Sequence, residues 1–157
     1  MKDTDFSKIF ESFGQPIYRL CVSRTGDTEL SHDITQQVFL ILYKKQPDFP
    51  DAASLRVWLI RCALKLIANE RRRAEKTRTE PLDEKDGGET MQSAEFELYD
   101  LCLSLGGILA DVTVLYYVED MSVEEIARAL SISKSAVKSR LHRARKSLLK
   151  IYKEEIL

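Results

Sequence analysis

Residues 122–145 read SVEEIARALSISKSAVKSRLHRAR, and this stretch decides which fold the sequence predicts. It begins with a capping box, because Ser122 is followed three residues later by Glu125 and each side chain can reach a backbone donor. Apolar residues then recur at helical spacing until Ser131-Ile132-Ser133 interrupts them. The stretch therefore predicts two helices joined by a three-residue turn, which is the pattern of a helix-turn-helix.

The second helix of this pair has an apolar stripe and a polar outer face. Val137, Leu141 and Ala144 follow the stripe, while the remaining positions are mostly basic or hydroxylated. A helix of this kind fits the major groove of DNA, with polar side chains on base edges and cations on phosphates. An ordinary amphipathic helix in a bundle is the alternative. The residues predicted to bind DNA are Lys134, Ser135, Lys138, Ser139, Arg140, His142 and Arg143.

Charge is segregated along the chain, although the net charge of 157 residues is only −1. Residues 134–150 contain seven Lys or Arg and no acid, whereas residues 74–98 are predominantly acidic. A basic C-terminal segment in a chain of nearly neutral net charge indicates a local electrostatic surface for phosphate.

The rest of the sequence predicts further helices and no sheet. Before residue 75 the pattern is helix, helix, loop, helix, with a bend or break at Gly14 and Pro16 and with Ser54 capping the third helix. Residues 75–93 are polar and nearly devoid of apolar side chains, which predicts a flexible linker. We therefore expect an all-α fold of two small helical domains, with residues 1–74 and 94–157 on either side of a linker at 75–93.

Composition excludes several other classes of protein. No apolar run approaches membrane-spanning length and no signal peptide is recognisable, so we expect the cytoplasm as the location. Cys21, Cys62 and Cys102 are isolated in apolar segments and are expected to be buried thiols. With no phosphate loop, metal cluster or catalytic arrangement, we expect no enzyme activity, cofactor, metal or small-molecule substrate.

Three segments, one in the C-terminal half of the chain and two in the N-terminal half, carry a family resemblance. Residues 115–145, and above all VKSRLHRAR at 137–145, closely resemble region 4 of the extracytoplasmic-function (ECF) sigma factors of the sigma-70 superfamily. HDITQQVFL at 32–40 and VWLIR at 57–61 resemble region 2 of the same family. The first domain is then expected to be a region 2-like bundle of three or four helices and the second a region 4-like helix-turn-helix. The resemblance implies a sigma factor that binds core RNA polymerase and promoter DNA.

The same resemblance implies roles for particular residues. Region 4 would read the −35 element, and the loop at 47–53 lies where the family holds a flipped base. Expected partners are the β′ clamp helices and β flap of core polymerase, promoter DNA and an anti-sigma factor. Residues implied in binding core polymerase are Asp33, Gln36, Gln37 and Phe39. Residues implied in binding the −10 element are Arg61, Lys65, Asn69, Arg72 and Arg73.

Several positions depart from the family pattern. Lys65 and Asn69 stand where the family usually has Asn and Asp, and Leu105-Gly106 with Ala110 replaces a Leu-Pro pair and an Arg. Ser131 replaces a turn glycine, and it must adopt a less favourable backbone conformation if its φ is positive. These differences predict altered −10 recognition and promoter melting. The alternative hypothesis is a helix-turn-helix regulator with a degenerate sigma-like N-terminal domain.

Overall fold

The computed structural model describes residues 3–76 and 94–156, and every regular element in these ranges is a helix. The chain divides into two compact units, Met1–Gly88 and Glu89–Leu157. The predicted all-α fold is therefore confirmed. Glu75 and Lys76 of the predicted linker belong to a helix, and residues 77–93 lie outside the described part of the chain. The predicted domain limits at 74 and 94 stay predictions.

Three helices pack around one core in the N-terminal unit: α1 (Asp3–Thr25), α2 (Thr28–Lys45) and α3 (Ala52–Lys76). Leu20, Leu42 and Leu59, one from each helix, are completely buried. Each such side chain stabilises the fold by about 1.5–3 kcal/mol through removal from water. The apolar stripes of the three helices thus face one another.

Of the predicted bend or break at Gly14 and Pro16, a break is wrong, because α1 continues through both residues. A proline inside a helix removes one backbone hydrogen bond and costs about 3 kcal/mol. Ile17, Leu20 and Cys21 directly after it are nevertheless buried. Burial of these side chains offsets the cost of the proline, so tertiary packing overrides the local signal.

The cap of α3 also differs from the prediction. The backbone N–H of Ser54 donates to Asp51 Oδ1 at 2.7 Å, and the helix begins at Ala52. Asp51 is therefore the N-cap, and Ser54 is a residue of the first turn. Pro50 is the last proline of the loop, so no proline ring obstructs the helix after it. Asp51 can therefore take the cap position.

The C-terminal unit contains α4 (Ala94–Leu103), α5 (Gly107–Thr113), a π-helical turn (Val114–Val118), α6 (Val123–Leu130) and α7 (Lys134–Ile156). Its core includes the buried side chains of Val112, Leu115, Ile126 and Leu141. Among the described helices of both units, none is long and apolar enough to cross a membrane.

The π-helical turn (Val114–Val118) follows α5 without a break. The backbone N–H of Glu119 donates to the carbonyl of Val114 at 3.0 Å, a five-residue step instead of the four of an α-helix. Just before it, the Thr113 hydroxyl donates to the carbonyl of Leu109. Such a bond commonly bends a helix. The wider turn keeps Val114 and Leu115 buried while Tyr117 remains 40% exposed.

Candidate nucleic-acid and partner-binding surfaces

The helix-turn-helix predicted from residues 122–145 is present, and its two helices have side-chain caps. At the start of α6 the backbone N–H of Glu125 donates to Ser122 Oγ at 3.1 Å, and the Ser122 hydroxyl lies 3.3 Å from Glu125 Oε1. At the start of α7 the backbone N–H of Ala136 donates to Ser133 Oγ at 3.0 Å. Both helix starts are thereby held in place by short polar side chains.

The turn between the helices depends on one backbone conformation. Ser131 has φ 58° and ψ 44°, in the left-handed region, and the backbone N–H of Ile132 donates to the carbonyl of Ala127 at 3.0 Å. The φ of Ser131 is positive, which is the case in which the sequence predicts a less favourable backbone conformation for this residue. Ile126 and Val137 are fully buried where α6 and α7 pack together, so the orientation of α7 is determined by the core.

Most of the predicted DNA-binding residues lie on one exposed face of α7. Arg140 differs, because it is half-buried on the side toward the core stripe. Lys134 Nζ lies 3.8 Å from Glu124 Oε1, and both side chains are 62% exposed. Ion pairs this exposed contribute little, so Lys134 stays available to a phosphate. The exposed residues of this face are Lys134, Ser135, Lys138, Ser139, His142 and Arg143.

One residue pair beside this face is absent from the sequence-based prediction. Arg145 Nε donates to Tyr117 Oη at 2.7 Å, and the guanidinium carbon lies 5.8 Å and 5.7 Å from the ring centroids of Tyr116 and Tyr117. This hydrogen bond raises the pKa of Arg145. The partners are 28 residues apart in sequence, so helical periodicity contains no signal for their contact.

A second basic surface lies on α3. The residues predicted to bind the −10 element recur at helical spacing along one side, and all five are exposed. Arg72 Nη2 donates to Asn69 Oδ1 at 3.2 Å, while Arg73 Nη1 lies 3.5 Å from Glu70 Oε1. The structure thus brings together the surface residues Arg61, Lys65, Asn69, Arg72 and Arg73.

An aromatic pair lies where α3 begins. Phe49, in the loop before the helix, and Trp58 form an edge-to-face contact with ring centroids 5.8 Å apart. Both rings are half-buried, so each retains some accessible surface. In the sequence, only the position of the loop at 47–53 points to a base-binding role. The structure adds two side chains on which an unpaired base could stack.

The predicted polymerase-binding residues divide into two groups. Asp33, Gln36 and Gln37 are exposed on one face of α2. Phe39 is 2% exposed, and its ring lies 5.0 Å from that of Phe10. The placement of Phe39 on a contact surface is therefore corrected: its side chain belongs to the interior, because the α1 aromatics cover it.

Leu40 extends the exposed face of α2. It is 50% exposed and follows Gln36 by four residues, so the two side chains lie on one side of the helix. The sequence-based prediction of the polymerase-binding residues did not include Leu40. Its signal was an apolar residue outside the buried Ile34–Val38–Leu42 stripe, which is typical of a contact surface. Asp33, Gln36, Gln37 and Leu40 form the surface that we call the α2 face.

Models of known protein families match the sequences of both units. The Sigma-70 region 2 model matches residues 9–77, and the Sigma-70, region 4 model matches residues 111–148. These matches cover most of α1, all of α2 and α3, and the helix-turn-helix. The alternative of a regulator with a degenerate N-terminal domain is not favoured, because the region 2 pattern is recognisable over nearly the whole bundle.

Relatives and a solved structure agree with the family models. The chain is 29% identical to the ECF RNA polymerase sigma factor SigW of Bacillus subtilis, with 92% of this chain and 87% of the relative covered. It is 24% identical to SigM of the same organism, with 92% and 93% covered. The sigma factor RpoE of Bartonella quintana, solved with the anti-sigma factor NepR, has the same fold, with a TM-score of 0.78, 18% identity, and 95% and 97% of the two chains covered. The chain belongs to the sigma-70 family of RNA polymerase sigma factors, within its extracytoplasmic-function group.

Proposed function

We propose that this sigma factor binds core polymerase through the α2 face, reads the −35 element with α7 and engages the −10 element with α3. The observation that carries the proposal is the capped helix-turn-helix with an exposed cationic face, on a chain that also has a region 2 bundle. The proposed role is non-enzymatic and is exercised in the cytoplasm, where core polymerase transcribes DNA.

Reading of the −35 element follows from the shape and charge of α7. Its exposed N-terminal half fits into the major groove, where Ser135 and Ser139 can bond to base edges or phosphates. Lys134, Lys138 and Arg143 supply the cations that release counterions from the duplex. Arg140 is half-buried on the core side of α7, so its proposed part is a backbone contact at the margin of the interface.

Engagement of the −10 element is assigned to the basic side of α3. Exposed arginines near the C-terminal end of the helix attract the strand backbone, and the Phe49–Trp58 pair offers a surface for an unstacked base. Lys65 and Asn69 differ from the usual family residues and lie on the same side of the helix. We therefore expect a −10 sequence preference that differs from that of common family members.

Docking on core polymerase is assigned to the α2 face and the β′ clamp helices, with the β flap as the expected contact of the C-terminal unit. Carboxylate and amide groups supply directional hydrogen bonds, and Leu40 supplies apolar area beside them. Phe39 supports this face from below, because its buried ring holds α1 against α2. An anti-sigma factor is proposed as regulator, by analogy with the NepR complex of the solved neighbour.

Run-off transcription tests the proposal directly. Core polymerase with and without this protein is incubated with a library of genomic fragments, and new transcripts are sequenced. Discrete transcripts that share an upstream element support the proposal and reveal the promoter. A Gln36→Ala variant should yield fewer transcripts, while Glu11→Ala, an exposed α1 substitution, serves as the control. Duplex binding without any initiation would instead favour a regulator that uses the helix-turn-helix alone.

A further inference from the structure

Arg145 holds a defined position at the side of α7. Its Nε donates to Tyr117 Oη at 2.7 Å, and its guanidinium carbon lies 5.7–5.8 Å from the two tyrosine centroids. The tyrosine rings themselves make an edge-to-face contact at 4.9 Å. An arginine held by one hydrogen bond and two aromatic rings has few accessible rotamers, although its side chain is exposed.

The hydrogen bond to Tyr117 leaves most of the guanidinium available. An arginine has five N–H donors, and only the one on Nε is directed to Tyr117. Among the described residues, no carboxylate forms an ion pair with Arg145. Its terminal nitrogens therefore form a cationic fork suited to the oxygens of a phosphate.

The position along α7 relates Arg145 to the proposed DNA-binding face. Lys134, Lys138 and Arg145 are spaced i, i+4 and i+11, which places them within about 40° of one another around the helix. Arg145 lies about 10 Å further along the axis than Lys138. The major groove is about 12 Å wide, so with α7 in the groove a residue this far from the base-reading turns would lie near a phosphate backbone.

We infer that Arg145, oriented by Tyr117, is a DNA phosphate-binding residue at the edge of the recognition helix α7. This inference rests on the proposed function, because it requires α7 in the major groove. Tyr117 acts as a positioning residue: it orders the arginine before DNA arrives, so less conformational entropy is lost on binding. The competing explanation is that the Arg145–Tyr117 contact only stabilises the packing of α7 against the π-helical turn.

Salt-dependent duplex binding distinguishes these explanations. The full chain is titrated against a fluorescent duplex of arbitrary sequence at several KCl concentrations, since phosphate contacts are independent of sequence. Arg145→Gln should weaken binding severalfold and reduce the slope of log K against log salt by about 1. Tyr117→Phe should weaken binding without changing the slope, because the charge of Arg145 remains. Arg145→Lys should also leave the slope of log K against log salt unchanged, because the positive charge remains. Its affinity for the duplex should nevertheless be lower than that of the wild type.

Two control variants distinguish a failure of the inference about Arg145 from a failure of the proposed function. Lys8→Gln removes the same charge from an exposed position on α1 and should leave the slope unchanged. Lys138→Gln should lower the slope if α7 binds DNA at all. If Lys138→Gln lowers the slope and Arg145→Gln does not, the inference is overturned and the proposed function stands. If neither lowers it, both are overturned. Loss of helical circular dichroism in Arg145→Gln with unchanged binding by Tyr117→Phe would assign the pair to folding alone and also overturn the inference.

Discussion

Ile132 donates its backbone N–H to the carbonyl oxygen of Ala127 at 3.0 Å, and this bond closes α6 around a serine in the left-handed region. A residue with a Cβ pays about 1–2 kcal/mol for this conformation, whereas glycine does not. The turn of the helix-turn-helix therefore stores local strain at Ser131. The buried residues Ile126 and Val137 on either side hold the turn in this geometry.

Replacing Ser131 by glycine should stabilise the C-terminal unit by up to about 1 kcal/mol, because the relief of strain exceeds the added entropy of the unfolded chain. Ser139→Gly, at an exposed mid-helix position, should destabilise it by about 0.5–1 kcal/mol. Urea unfolding followed by circular dichroism measures both effects. Trp58, the single tryptophan, reports the N-terminal unit separately by fluorescence. Equal effects of the two substitutions would contradict the strain at Ser131.

Asp51→Ala should destabilise the N-terminal unit by about 1 kcal/mol, because the N-cap of α3 is lost. Ser54→Ala should change the free energy of unfolding by less than about 0.5 kcal/mol, since Ser54 lies in the first turn of the helix. Trp58 fluorescence during urea unfolding measures both variants. The reverse order would restore Ser54 as the cap that the sequence pattern predicts.

Asp33→Ala should lower the affinity for core polymerase by removing a charged group from the α2 face, with little change in stability. Phe39→Ala should instead lower the free energy of unfolding by about 3–5 kcal/mol, because it leaves a cavity beneath Phe10. Fluorescence titration with core polymerase and urea unfolding separate the two effects. Glu11→Ala is the surface control. An unchanged affinity of Asp33→Ala would remove that residue from the interface.

Glu124→Gln should tighten duplex binding by less than about fivefold, because it frees Lys134 from an exposed ion pair whose strength is below about 1 kcal/mol. The effect is measured by fluorescence anisotropy in the wild type and in a Lys134→Ala background. The gain should shrink when Lys134 is absent. A gain of equal size in both backgrounds would show that Glu124 acts on DNA directly and not through Lys134.

Cys102 should resist thiol reagents in the folded protein at pH 8. Burial raises the pKa of its thiol to about 11, from an ordinary value of about 9.0. Because the pKa is higher in the folded state than in the unfolded state, the associated stability is present below about pH 9 and declines as the pH rises toward 11. Alkylation followed by mass spectrometry, with and without urea, tests the protection. Rapid modification of Cys102 in the folded chain would contradict its burial.

Local chemistry was enough to predict the helix-turn-helix and the all-α fold. The capping box, the serine turn and the apolar stripe of α7 act within a few residues, so their signals survive in the linear sequence. The same holds for α2 (Thr28–Lys45), one of the helices that the pattern predicts before residue 75. The exposed cations of α7 and α3 could be proposed from periodicity alone, because it separates buried from exposed positions.

Tertiary structure decided what depends on residues distant in sequence. α1 continues through Pro16 because burial against two other helices outweighs a lost hydrogen bond. Phe39 lies inside because aromatic residues of α1 cover it, and Arg145 meets Tyr117 across the unit. The π-helical turn likewise depends on tertiary packing, because Val114 and Leu115 are buried in the core. Periodicity reports which side of a helix is apolar, whereas the partners of that side are determined only when the helices pack together.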